Sequence, residues 1–176
     1  MKVVGTMFFD NQKLLIDKPR KRPTYQMIGG RVEDGESPLE AAIRECHEEL
    51  GNEAIFDNSL IELVMEFDEI ATSDGVTPIH FYVFKYNGVL KGKIKTSDEI
   101  ESFKWYESKD GQEILSNTLK NEVVPYCLSK KLIKWVSSNA QTNMVVSYLG
   151  NIPDTETRLE HLALTLIQPI ARVSVY

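Results

Sequence analysis

The sequence predicts a mixed fold of the α/β or α+β class, and three observations carry that prediction. Runs of β-branched and aromatic residues dominate the N-terminal part, one segment among them holds a full set of helix start and stop signals, and helical spacing returns toward the C-terminus. Strands and helices therefore interleave. The 176 residues suit one domain with a sizeable core and would be cramped as two. With 42% apolar, 26% charged and 9% aromatic residues, the composition is that of an ordinary soluble globular protein.

Taken in order, "VVGTMFF" and "KLLID" read as two strands joined by a tight turn at Asp10-Asn11. "LIELVMEF" alternates apolar and polar residues from Leu60, which places Leu63, Met65 and Phe67 on one side of a half-buried strand. "IHFYVFKY", residues 79–86, is apolar on both faces, as a central strand is. "SFKWYE" adds a short strand. Val124, Leu128, Leu132 and Trp135 recur at helical spacing and predict a helix from about Glu122 to Val136. A further helix is expected from Glu156 to Ile167, where Leu159, Leu162, Ala163, Leu166 and Ile167 form an apolar stripe after Pro153-Asp154.

The best-specified element lies within "GGRVEDGESPLEAAIRECHEELG", residues 29–51. Ser37 is an N-cap, Pro38 stands at the first helical position and Glu40 completes a capping box, while Gly51 supplies the stop. A helix is thus predicted over Pro38–Leu50, packing through Leu39, Ile43, Cys46 and Leu50. Glu45, Glu48 and Glu49 sit at i, i+3 and i+4 on a different face. Like charges at that spacing destabilise a helix by about 0.2–0.5 kcal/mol per pair. Acids near its C-terminal end oppose the dipole by about 0.3–1 kcal/mol each. A solvated acidic face is the bland explanation; a local rule broken inside a well-capped helix points instead to a functional site. A hard divalent cation removes the penalty, because Mg²⁺ takes carboxylate oxygens and keeps positions for water and phosphate.

Gly30, Glu36, Arg44, Glu45, Glu48, Glu49 and Gly51 together carry a family resemblance. The stretch resembles the Nudix box: a glycine, five residues, a glutamate, seven residues, Arg-Glu, an apolar residue, any residue, Glu-Glu, any residue, Gly and an apolar residue. All seven fixed positions are filled, a coincidence on the order of one in 10⁸ per starting point at ordinary residue frequencies. Cys46 is an atypical apolar choice, Asn52 replaces the final apolar residue, and Ile28 stands where relatives often have proline.

The resemblance implies mixed sheets sandwiched between helices, with the box as loop, helix and loop. It also implies hydrolysis of a nucleoside diphosphate linked to another moiety, using Mg²⁺ or Mn²⁺. By position, Glu45, Glu48, Glu49 and the Gly29 carbonyl would hold metal, and Arg44 with Glu36 would orient the cluster. "TSDEIESFKWYE" is similar to a segment that often follows in this family and makes Glu99 a further catalytic candidate. The resemblance thus implies catalytic roles for Arg44, Glu45, Glu49 and Glu99, with either Glu45 or Glu99 as general base. Two other readings stand beside it. One is a Nudix-fold module that senses a nucleotide without cleaving it, against which the intact box argues. The other is an isomerase of isoprenoid diphosphates, for which no cysteine is suitably placed.

Outside the box, Lys18, Arg20, Lys21 and Arg22 form a basic run that is either a phosphate contact, with Arg22 the substrate-binding candidate, or a solvated loop. Asn121 precedes a predicted helix and reads as an N-cap. Purine-selective relatives with an asparagine in this neighbourhood make base recognition its rival role. Tyr25, Phe81, Tyr82 and Trp105 either stack on a base or fill the core. His47, His80 and His161 share no ligand spacing, which disfavours zinc. Cys46 and Cys127 are too few for a disulfide framework and are expected reduced, Cys46 as a small hydrophobe. A net charge of −6 argues against a duplex nucleic-acid partner. Apolar runs fall short of a membrane span and the N-terminus lacks signal-peptide features, so a cytoplasmic protein is expected. Residues 1–139 are assigned to the hydrolase domain and 140–176 to an extension whose Leu159 stripe is covered by the domain or at a homodimer contact.

Overall fold

The N-terminal run divides between two sheets in the computed structural model, which describes residues 1–71 and 75–134. Strand β1 (Lys2–Met7) lies parallel to β6 (Pro78–Tyr86), and β5 (Ile61–Ile70) pairs antiparallel on the other side of β6. β6 is therefore the central strand its two apolar faces require. Beyond Phe8 the chain enters a second sheet, ordered β2 (Phe9–Asp10), β3 (Lys13–Pro19), β8 (Ile100–Tyr106) and antiparallel throughout. β4 (Ala54–Ile55) and β7 (Lys91–Gly92) make a short separate ladder.

In the hairpin of β2 and β3, Asp10 pairs with Lys13, so the loop is Asn11-Gln12, one residue later than expected. Both loop residues have positive φ, 48° and 60°, the conformation a two-residue hairpin needs to match strand twist. Asn tolerates that region and Gln does not. Gln12→Gly is therefore expected to raise stability by about 1 kcal/mol in chemical denaturation; a lower midpoint would overturn this reading.

Strand β5 departs from simple alternation. Leu63 pairs with Phe84 but Met65 with Val83, which leaves Val64 as an extra residue in the ladder. Met65 and Phe67 face the core as expected, whereas Leu63 is 42% exposed.

The box helix, α1 (Pro38–Leu50), has the predicted bounds and the predicted cap: the Ser37 hydroxyl accepts from Glu40 N–H, and the Glu40 carboxylate accepts from Ser37 N–H. It buries Ala41, Ala42, Cys46 and Leu50, with Ile43 at the edge and Leu39 outside. Burial pushes the Cys46 thiol up to about 12, so it acts as the small hydrophobe expected.

The helix predicted from Glu122 begins earlier and is not regular. A π-helical turn over Leu119–Val123 precedes α2 (Val124–Ser129), with Val124 N–H donating to the Leu119 carbonyl five residues back. Pro125 explains the widening, because it has no N–H to close the ordinary turn. Asn121 consequently lies inside the turn and caps nothing. Trp135 and Val136, the helix expected over 156–167 and the division at 139/140 lie outside the described residues.

Alternation along β3 organises two cores. Leu15 joins Ala41, Ala42, Cys46 and Leu50 beneath α1, while Leu14 and Ile16 join Leu119, Val123 and Val124 beneath α2. The result is the sandwich expected, with one mixed and one antiparallel sheet between helices. Among the described residues no helix is long and apolar enough to cross a membrane.

Candidate active site

The segment from Gln26 to Val32 stitches the two sheets together and carries the site. Gln26 exchanges two backbone hydrogen bonds with Asp17 of β3. On its other side, the carbonyls of Ile28 and Gly30 accept from Thr6 and Val4 of β1, and Val32 N–H donates to the Lys2 carbonyl. Gly29 sits at the closest approach: its φ is +153°, and a Cβ there would lie 2.1 Å from the Val4 carbonyl oxygen. Its N–H donates to Glu49 Oε2 at 2.7 Å. Its own carbonyl makes no hydrogen bond among the described residues and is a free hard donor.

The three box glutamates do not share one environment, contrary to the single acidic face expected. Glu49 points inward to the Gly29 amide, where burial and the neighbouring Asp17 push its carboxyl well above the usual carboxylate range. Glu45 lies across Gly30, with side-chain exposure of only 14%, and burial raises it too. Glu48 is 59% exposed. Arg44 ties the group together: its guanidinium pairs with Glu36 at 2.7 Å, Glu45 at 2.9 Å and Glu48 at 3.2 Å, and donates to the Arg31 carbonyl. The side-chain hydrogen bond from Arg44 holds Glu36 below its ordinary value. These pairs relieve the repulsion expected of an isolated helix more than helix geometry alone allows.

Gly30 is needed for a different reason than Gly29. A Cβ at Gly30 would meet Glu45 Oε1 at 2.3 Å, so only a carboxylate stands in the way. Gly30→Ala is expected to change stability by less than about 1 kcal/mol, because a flexible side chain can move aside, but to lower kcat at least about tenfold by displacing Glu45. Unchanged kcat would mean that the position of Glu45 is immaterial.

One further acid reaches this group, and sequence reasoning missed it. Asp17 follows Leu15 on the face of β3 toward α1 and is fully buried. Neither of its oxygens has a hydrogen-bond partner, the nearest compensation being its own backbone N–H, and burial raises its carboxyl. The available signal was an acid interrupting the apolar run "LLID" at a core-facing parity. Glu99 is exposed on the loop before β8, within electrostatic reach of Glu49 but in no hydrogen bond with the box. Arg20 anchors that loop, its backbone N–H donating to the Glu99 carbonyl and its Nε to the Asp98 carbonyl. Among the described residues no three acid, histidine or cysteine side chains converge on a single ion position. Glu49 accepts from the Gly29 N–H and lies within electrostatic reach of Asp17, so two acids, of the kind a hard dication takes, sit by the Gly29 segment.

A cleft of about 420 Å³ opens from Gly29 and Gly30, lined further on by Arg22, Gln26, Met27, Phe81, Glu69 and Asn117. The rung of Glu69 on the β5–β6 ladder holds Ile79, and Gly30 bonds to Val4, which pairs with Tyr82. Three residues of strand, about 10 Å, separate the two rungs. Thr118 donates its hydroxyl to Glu69 at 2.9 Å. Arg22 and Asn117 thus line the cleft, whereas Asn121 does not. Of the aromatics, Phe81 alone lines the cleft, stacked on Phe67 at 5.3 Å, and Tyr25, Tyr82 and Trp105 pack on the cores. His47 rests on Phe56, and His80 lies between Asp68 and Glu66, so neither joins the site.

Comparison with known proteins places this fold. The NUDIX domain family matches residues 1–127. The MutT protein of Methanosarcina mazei Go1 aligns at 19% identity over 74% of this chain and 95% of that one, with a TM-score of 0.60. A bifunctional NMN adenylyltransferase/ADP-ribose pyrophosphatase of Francisella tularensis, complexed with AMP and a manganese ion, aligns at 18% identity over 73% of this chain and 41% of its own, TM-score 0.58. The MutT NUDIX hydrolase of Burkholderia pseudomallei aligns at 21% identity over 66% and 90%, TM-score 0.56. No curated protein sequence matches.

Proposed function

Because the chain belongs to the NUDIX family, we propose that it is a nucleotide pyrophosphohydrolase, cleaving a nucleoside diphosphate linked to a further group with the help of Mg²⁺ or Mn²⁺. One observation carries the proposal: Glu49 and Glu45 are held against Gly29 and Gly30, which themselves line a cleft of about 420 Å³, a volume that suits a nucleotide. The two free, buried cysteines are in keeping with a reducing, cytoplasmic setting.

A pyrophosphate linkage resists attack because its negative charge repels a nucleophile. Dications distributed over Glu49, Glu45, Glu48 and the Gly29 carbonyl would withdraw that charge and acidify the attacking water. The chain's own residues do the rest. The Gly29 amide fixes Glu49, and Arg44 fixes Glu45 through a short ion pair. Arg22 lines the cleft as a cationic partner for phosphate, and Phe81 offers an apolar face to a base. Glu45, largely buried against Gly30, is assigned to accept the water's proton in preference to exposed Glu99. Glu45→Gln is accordingly expected to lower kcat at least about 10²-fold, and Glu99→Gln less than about threefold. The opposite ranking in steady-state kinetics would transfer the role to Glu99.

The reading is tested with a panel of nucleoside triphosphates, ADP-ribose, dinucleoside polyphosphates and nucleotide sugars, following phosphate and pyrophosphate release with Mg²⁺ and with chelator. Release from at least one substrate, lost with chelator, is expected. Tight binding of a nucleotide without release from any substrate would favour a sensing module instead.

A further inference from the structure

Asp17 is a buried acid beside Glu49 that the box pattern does not account for. It is fully buried, neither oxygen has a hydrogen-bond partner, and an unpaired carboxylate in such a place costs several kcal/mol unless something else compensates. Among the described residues Arg44 pairs with Glu36, Glu45 and Glu48, Lys18 with Glu101 and Lys104 with Asp110, and none of the three pairs with Asp17. Burial of Asp17 is also not an accident of one rotamer. Its face of β3 is fixed by Leu15 two residues earlier, and its backbone is clamped by both hydrogen bonds to Gln26. Three residues after Gln26, Gly29 donates to Glu49. Asp17 and Glu49 are therefore both tied to one short segment, Asp17 by its backbone and Glu49 by its carboxylate, within electrostatic reach of each other. Sequence separates them by more than thirty positions; the Gln26–Gly29 segment brings them together.

We propose that Asp17 is an additional oxygen ligand of this site, holding a hard divalent cation from the buried side together with Glu49 and the Gly29 carbonyl. This rests on the metal-dependent reading above and extends it to a residue outside the box. Two carboxylates neutralise a dication, one carbonyl adds a third hard donor, and the remaining positions are left for water and phosphate oxygens, which suits Mg²⁺ or Mn²⁺. The same arrangement explains why an acid is tolerated on a core-facing position of a strand: its charge is stabilised by the ion rather than by the protein.

The test is Mn²⁺ binding to the full chain without substrate, measured by electron paramagnetic resonance of free Mn²⁺ and by the rise in Tm that Mn²⁺ produces. Asp17→Asn, which keeps shape and removes charge, is expected to weaken Mn²⁺ binding at least about tenfold and to abolish most of the Mn²⁺-dependent rise in Tm. Asp17→Glu, which keeps the charge, should retain part of both. If the Asn variant fails to fold, Asp17→Ser carries the same expectation. Binding by Asp17→Asn equal to wild type would overturn the proposal and leave the metal-dependent reading standing, provided Glu49→Gln lowers affinity. Absence of Mn²⁺ binding by the wild-type protein would overturn both.

Discussion

Glu49→Gln is expected to lower kcat by at least about 10²-fold on the best substrate with Mg²⁺, while the melting temperature stays at or above that of the wild type. The amide oxygen of Gln can still accept from Gly29 N–H, so the contact that positions the side chain survives. What disappears is the negative charge, and with it the repulsion that Asp17 and Glu45 exert on Glu49. Stability and activity therefore move apart, as they do where a charge is kept for chemistry rather than for folding. Glu48→Gln is the internal control. Its carboxylate is 59% exposed and bound to Arg44, so its loss should be milder. A Glu49→Gln enzyme with kcat within about threefold of wild type would remove the inner carboxylate from the mechanism.

Gly29→Ala is expected to destabilise the fold by more than about 3 kcal/mol, the largest effect on stability from any single methyl group at the site. Two independent penalties combine. At φ +153° an L side chain is strained, and the added Cβ would lie 2.1 Å from the Val4 carbonyl oxygen and 2.8 Å from Gly5 Cα. Those atoms belong to β1, paired residue by residue with the central strand, and cannot retreat without breaking that ladder. Gly30→Ala, one residue on, meets only the mobile end of Glu45, so the two substitutions should separate cleanly in chemical denaturation. A Gly29→Ala protein within about 1 kcal/mol of wild type would show that the two strands and the glycine segment are less tightly joined than described.

Much of the architecture was legible because the interactions that specify it are short-range. The bounds of α1 follow from a cap, a proline and a glycine that act within a few residues of themselves. The central position of β6 follows from its own two-sided apolarity. Errors arose where one long-range or backbone term outweighed the local pattern. The extra residue at Val64 turned Leu63 outward. Pro125 widened the turn before α2 and drew Asn121 away from the capping position expected of it, leaving Asn117 on the cleft. In the hairpin, strand register rather than turn propensity placed the loop at Asn11-Gln12.

By itself the sequence determined the membership of the chain in its family, the box helix and the residue types available for catalysis, because all seven fixed positions lie within one loop and helix. Only tertiary structure decided how those residues are used. α-Helical geometry makes Glu48 and Glu49 adjacent, yet packing against β3 and the Gly29 segment sends one to solvent and the other inside. Asp17 entered the site for the same reason. Its side depends on the register of β3 and the burial of Leu15, a sum of burial free energies over many distant contacts that no window of sequence contains.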